Sequence, residues 1–122
     1  AEDIATIISA IGNHDEGTAV AVDAVAAALI LADKTDVRRT RVRNRDKATF
    51  DIHDRVNYAV EKASTTLDAA GKAVVLDLQL DTGMSPVIDY FEIFLERMLL
   101  CRKAAEKLGL SFRLVVNGQT VL

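Results

Sequence analysis

Apolar and polar positions follow three rhythms along this chain. Near the start, Ile4, Ile7, Ile8 and Ile11 recur at i, i+3, i+4 and i+7, the period of an amphipathic helix. Glu2 and Asp3 precede them, where the helix dipole favours anions, and Gly12-Asn13 ends the pattern. A second helix is predicted from about Val22 to Thr35 or beyond. It is apolar almost all round, with Asp23 the exception near its start, so it reads as buried. Val22, Val25 and Leu29 form one stripe of it, and Asp33 and Asp36 continue that stripe. A short helix is expected from Phe50 to Ala59, with Asp51 at its start.

The rhythm then changes from 3.6 to 2. Ser64 to Asp68 and Ala73 to Leu80 read as strands around Ala69-Ala70-Gly71-Lys72. Val74, Leu76, Leu78 and Leu80 alternate with Val75, Asp77, Gln79 and Asp81, which gives one dry and one wet face. Ser85-Pro86 opens the longest helix, with Ile88, Phe91, Leu95, Met98, Leu99 and Leu108 at helical spacing and Gly109 as its stop. Phe112 to Val116, Asn117-Gly118 and Gln119 to Leu122 then form a hairpin pattern. The fold class is α+β: a helical half over residues 1–60, including a basic connector at 34–47, then a β-β-α-β-β antiparallel sheet with one long helix over 61–122.

Composition narrows the classes of function. An apolar fraction of 50% is too high for a disordered chain. The longest apolar run, Ala24 to Ala32, falls short of the roughly 20 residues of a membrane span. The sequence opens with Ala-Glu-Asp, without the basic-then-apolar stretch of a signal peptide, so a cytoplasmic address is expected. The absence of an initial Met suggests a fragment or a processed product. Cys101 is the only cysteine, which removes internal disulfides and Cys-based zinc sites; it reads as structural. Charge is uneven. Lys34, Arg38, Arg39, Arg41, Arg43, Arg45 and Lys47 stand against Asp36 and Asp46, a net of +5, so with −3 overall the other residues sum to −8. That balance argues against nucleic-acid binding by the whole surface. The basic segment is either a set of phosphate-gripping arginines or a solvated connector paired with the chain's carboxylates. No aromatics interleave with it to stack on bases.

Two residues carry candidate metal chemistry. His14 lies in the polar, Gly-bounded turn Gly12-Asn13-His14-Asp15-Glu16-Gly17. It is a solvated loop residue or a ligand. Asp33 continues the apolar stripe of the second helix, where a carboxylate is costly unless paired or metal-bound. Its two readings are an ion pair with Lys34, Arg38 or Arg39, and a metal ligand. A His nitrogen with an Asp oxygen suits a divalent ion such as Mn, Fe, Zn or Mg.

The segment Ile11-Gly12-Asn13-His14-Asp15-Glu16-Gly17, followed by Ala28-Leu29-Ile30-Leu31-Ala32-Asp33-Lys34-Thr35-Asp36, resembles the back half of the HD-domain metal-dependent phosphohydrolases. Phe50 to Lys62 is similar to bacterial HD-domain proteins with a β-rich extension. The resemblance implies His14 and Asp33 as metal ligands, with Lys34, Arg38 and Arg39 as phosphate contacts. It also implies an early His and an adjacent His-Asp pair upstream, which these 122 residues do not supply; His53-Asp54 follows Asp33, in the wrong order. The expected function is a portion of a phosphohydrolase acting on a phosphate ester such as a nucleotide. The alternative is a non-catalytic binding or regulatory module for a nucleotide, RNA or protein. An apolar second helix with too few neighbours further predicts a homodimer, or association with a missing upstream segment, through Val22, Val25, Ala26, Leu29 or Ile30.

Overall fold

The computed structural model describes residues 1–14, 20–37, 49, 51–83 and 86–122. Its elements run α1 (Glu2–Gly12), α2 (Ala24–Lys34), α3 (Ile52–Tyr58), β1 (Val60–Asp68), β2 (Ala73–Leu80), α4 (Val87–Lys107), β3 (Ser111–Val116) and β4 (Gln119–Thr120). The class is α+β, with helices in the N-terminal half and a four-stranded sheet in the order β1-β2-β3-β4.

The sheet is mixed, which corrects the antiparallel expectation. β1 pairs antiparallel with β2 and β4 antiparallel with β3, but β2 and β3 run parallel, with Leu76 beside Leu114 and Val74 beside Phe112. The cause is α4. Its 21 residues return the chain along the sheet before β3 begins, so β3 enters in the direction of β2. The alternation read from β2 holds: Val74, Leu76, Leu78 and Leu80 are buried, and Asp77 and Gln79 are exposed. Phe112, Leu114 and Val116 complete the dry face. Burying each large aliphatic side chain there stabilises the fold by about 1.5–3 kcal/mol. β1 begins directly after α3, earlier than Ser64, and leaves most of its residues exposed.

Local signals explain several boundaries. Asp51 caps α3 through a reciprocal box: its Oδ1 accepts from the Asp54 amide at 2.8 Å, and the Asp54 carboxylate accepts from the Asp51 amide at 3.4 Å. Asp23 caps α2 by accepting from the Ala26 amide at 2.8 Å. Asn117 and Gly118 both take positive φ, 50° and 82°, as a tight hairpin turn demands. The Asn117 side chain also grips the end of β2. It accepts from the Leu80 amide at 2.8 Å and donates to the Leu80 carbonyl at 3.2 Å, extending the β2–β3 pairing beyond the last backbone partners. Pro86 precedes the first residue of α4, and no side chain among the described residues caps that helix. Ser85, Met84 and Phe50 lie outside the described residues.

The faces of three helices differ from the sequence expectation. On α4 the buried residues are Tyr90, Phe94, Met98, Cys101, Ala104 and Ala105, whereas Ile88 is 72% exposed and Leu95 is exposed. Cys101 therefore sits in the core. The buried face of α4 runs from Tyr90 and Phe94 through Met98 to Cys101, Ala104 and Ala105 and packs against the sheet and α2. On α2, Ala26, Ala27, Ile30, Leu31 and Lys34 face inward. The stripe Val22–Val25–Leu29–Asp33 is the wet side: Val22 and Val25 are exposed, and Leu29 and Asp33 are half-buried. On α1 only Ala10 is buried. Residues of α2, α3, the sheet and α4 share one hydrophobic cluster.

Candidate functional site

α2 ends where its chemistry lies. Asp33 and Lys34 are its last two residues, and Thr35 closes the turn by donating its hydroxyl to the Leu31 carbonyl at 2.6 Å. Adjacent helical residues normally point apart. Here the Lys34 ammonium returns to the Asp33 carboxylate at 2.7 Å, with the lysine side chain 6% exposed and the aspartate side chain 35% exposed. Lys34 thus buries its aliphatic stem along the inner face of α2 and brings its charge to the rim.

The carboxyl of Asp33 is held below its ordinary value of 3.8. The hydrogen bond from Lys34 is the main cause, partial burial opposes it, and the charges of Lys34, His14 and Arg97 reinforce it. Lys34 is thus the bonded partner of Asp33, and His14 and Arg97 lie near enough to act on it through charge. His14 arrives from the end of α1, where its Nδ1 donates to the Ile11 carbonyl. That bond leaves Nε2 with the lone pair when the ring is neutral. Arg97 arrives from α4, lying over the Phe94 ring at 4.8 Å. Arg97 was not a candidate from sequence. It lies 64 positions beyond Asp33, and only the packing of α2 on α4 joins them.

The structure brings His14 and Asp33 into electrostatic range and gives Asp33 the Lys34 ion-pair partner that was one of its two readings. Asp33 is half-buried and not enclosed, on a side of α2 where Val22 and Val25 are exposed. Lys34 is engaged with Asp33, so any phosphate contact by it competes with that pair. Arg38 and Arg39, with the rest of the basic segment to Lys47, lie outside the described residues, as do Asp15, Glu16 and Gly17. Among the described residues no group of three or more His, Cys, Asp or Glu side chains stands close enough to hold a metal ion. His14 and Asp33 offer two donors, fewer than the three protein ligands of even an open catalytic site. The described residues alone do not make a metal centre.

No described helix is long and apolar enough to cross a membrane. No family model, curated protein or solved structure matches the chain.

Proposed function

We propose that this chain contributes one side of the centre of a metal-dependent phosphohydrolase acting on a phosphate ester such as a nucleotide. His14 and Asp33 are two ligands of a divalent ion, and the remaining ligands lie outside the described residues. One observation carries the reading: a part-exposed carboxylate stands at the end of α2, held ionised by Lys34 at 2.7 Å, with His14 and Arg97 near enough to lower its pKa further. A divalent ion there would supply an activated water and neutralise charge at phosphorus. This chain's own part is to hold Asp33 ionised, to fix the His14 ring through Ile11, and to offer the Arg97 and Lys34 cations to an anionic substrate. Arg38 and Arg39 extend that cationic side in this reading. A cytoplasmic setting accords with it, since a lone buried thiol at Cys101 stays reduced there.

The shortage of a third donor among the described residues favours a second reading, a non-catalytic module that binds a phosphate-bearing partner through the same cations. Titration of the chain with Mn²⁺, read by electron paramagnetic resonance, separates the two. The hydrolase reading expects saturable binding that Asp33→Asn and His14→Ala each weaken by roughly tenfold or more. Binding that both variants leave unchanged would remove the metal site and leave the module.

A further inference from the structure

The sheet ends in two unlike edges. β4 is 2 residues long, whereas β1 is 9. The regular part of β1 is Lys62 to Asp68, paired one to one with Gln79 to Ala73 of β2; the register shift between Val60 and Lys62 lies before it. The direction of its backbone groups follows from β2. The Ser111 amide donates to the Lys72 carbonyl at 2.9 Å and the Asn117 amide to the Leu78 carbonyl at 2.9 Å, so the even-numbered residues of β2 turn their backbone groups to β3. The odd-numbered ones turn to β1, and the bond from the Asp81 amide to the Ala59 carbonyl at 2.8 Å continues that side. Their partners Lys62, Ser64, Thr66 and Asp68 are thereby engaged with β2, while Ala63, Thr65 and Leu67 point their N–H and C=O groups out of the sheet. No described strand pairs with that edge.

Free edges are ordinarily guarded by charges, a proline or a bulge along their length. Here Ala63-Ser64-Thr65-Thr66-Leu67 carries no charge and no proline, and the charges stand at its two ends, Lys62 and Asp68, with opposite sign. We infer that β1 pairs antiparallel with β1 of a second copy about a two-fold axis at Thr65, so that the two sheets become one. Charge complementarity selects both the second copy and the register. With the axis at Thr65, Lys62 of each copy lies opposite the partner's Asp68. An axis at Ser64 sets Lys62 against the partner's Thr66 and Asp68 against the partner's Val60; an axis at Thr66 sets them against the partner's Ala70 and the partner's Ser64. Neither gives the charges an opposite. In the Thr65 register every outward donor and acceptor finds its counterpart, Ala63 with the partner's Leu67 and Thr65 with the partner's Thr65. Lys62 and the partner's Asp68 fall at a position without backbone bonds between them, where facing side chains come closest. Asp68 has room for this second cation: its side chain is 40% exposed, Arg113 stands 3.8 Å from its Oδ2, and its Oδ1 accepts from the Gly71 amide at 3.1 Å. Leu67, 72% exposed in one copy, gains an apolar neighbour.

This interface differs from one built on α2, since Ala26 and Ile30 are already enclosed at 0% exposure. It stands independently of the metal reading, because it uses neither His14 nor Asp33. Sedimentation velocity of the chain at micromolar concentration tests it. A dimer is expected. Thr65→Pro removes an outward N–H that β2 does not use, so the variant should stay folded by circular dichroism and associate at least about 100-fold more weakly. Lys62→Asp and Asp68→Lys should each weaken self-association by roughly tenfold or more, because each sets like charges opposite one another. An equimolar mixture of those two variants should recover a dimer, since both cross-strand pairs are then attractive. Lys103→Asp, the same charge reversal on α4, should leave the dimer intact. A monomer at every concentration overturns the proposal. So does a dimer indifferent to Thr65→Pro, or one that responds equally to the reversals at Lys62 and Lys103.

Discussion

α1 and α4 are both amphipathic by spacing, yet they use their apolar stripes in opposite ways. α4 lies between the dry face of β2 and β3 and the inner side of α2, so it has two layers to fill. Its buried positions taper along the helix, from Tyr90 and Phe94 with ring centroids 5.1 Å apart, through Met98, to Cys101 and two alanines. α1 packs on α2 at the margin of the molecule and buries Ala10 alone. Four isoleucines could not lie in that contact without lifting the helix away, whereas Thr6, Ser9 and Ala10 allow close approach. A helix turns toward the core the face that fits the space left for it, and that face is the most hydrophobic one only when the space is large enough.

The sharpest way to break this contrast is to truncate one side chain from each stripe. Met98→Ala should destabilise the chain by about 3 kcal/mol, because it opens a cavity in a fully enclosed site. Ile8→Ala, measured dilute enough to hold the chain monomeric, should cost no more than about 0.5 kcal/mol, since most of its side chain is already wet. Urea denaturation of both variants checks this. Equal losses would mean that the α1 stripe is covered within the chain.

Tyr90 sharpens the α4 side. Its ring is buried, and its hydroxyl has no hydrogen-bond partner among the described residues, so burial pushes its ionisation well above the ordinary tyrosine range. Removing an unsatisfied buried hydroxyl relieves its desolvation cost. Tyr90→Phe should therefore leave stability unchanged or raise it by about 1 kcal/mol by the same measurement. A loss of that size would show that the hydroxyl is satisfied.

The smallest effect belongs where α2 meets α4. The folded value of Asp33 lies below its unfolded 3.8, so the stability it contributes is complete above that pH. It is lost as pH falls through the lower folded value. Asp33→Asn should thus destabilise the chain modestly at neutral pH, within the range of about 0–1 kcal/mol of part-exposed pairs, and by less in acid. Denaturation at neutral and at acid pH checks the sign. A gap that does not shrink in acid would assign the role of Asp33 to packing.

The site was half legible in advance. His14 and Asp33 were visible as residue types in a turn-then-helix pattern, and Lys34 as a charge beside a carboxylate. Arg97 carried no signal, because a cation on a long helix is ordinarily a solvated residue. The docking of α4 on α2 brings it within the range of Asp33.

The sequence by itself determined the elements that local physics can specify. The period of Val74 to Leu80 set a strand and its dry face. Asp23 and Asp51 set helix starts through caps made within three residues, and Asn117-Gly118 set the hairpin through backbone conformations few other residues adopt. Only the tertiary structure decided the direction of β3 beside β2, the rotation of α4 toward Tyr90 and Cys101, and the outward turn of the α1 isoleucines. The physical reason is common to all three. Periodicity records which residues share a face, but it carries no information about the volume of the space that face must enter. That volume is set by elements far away in the chain.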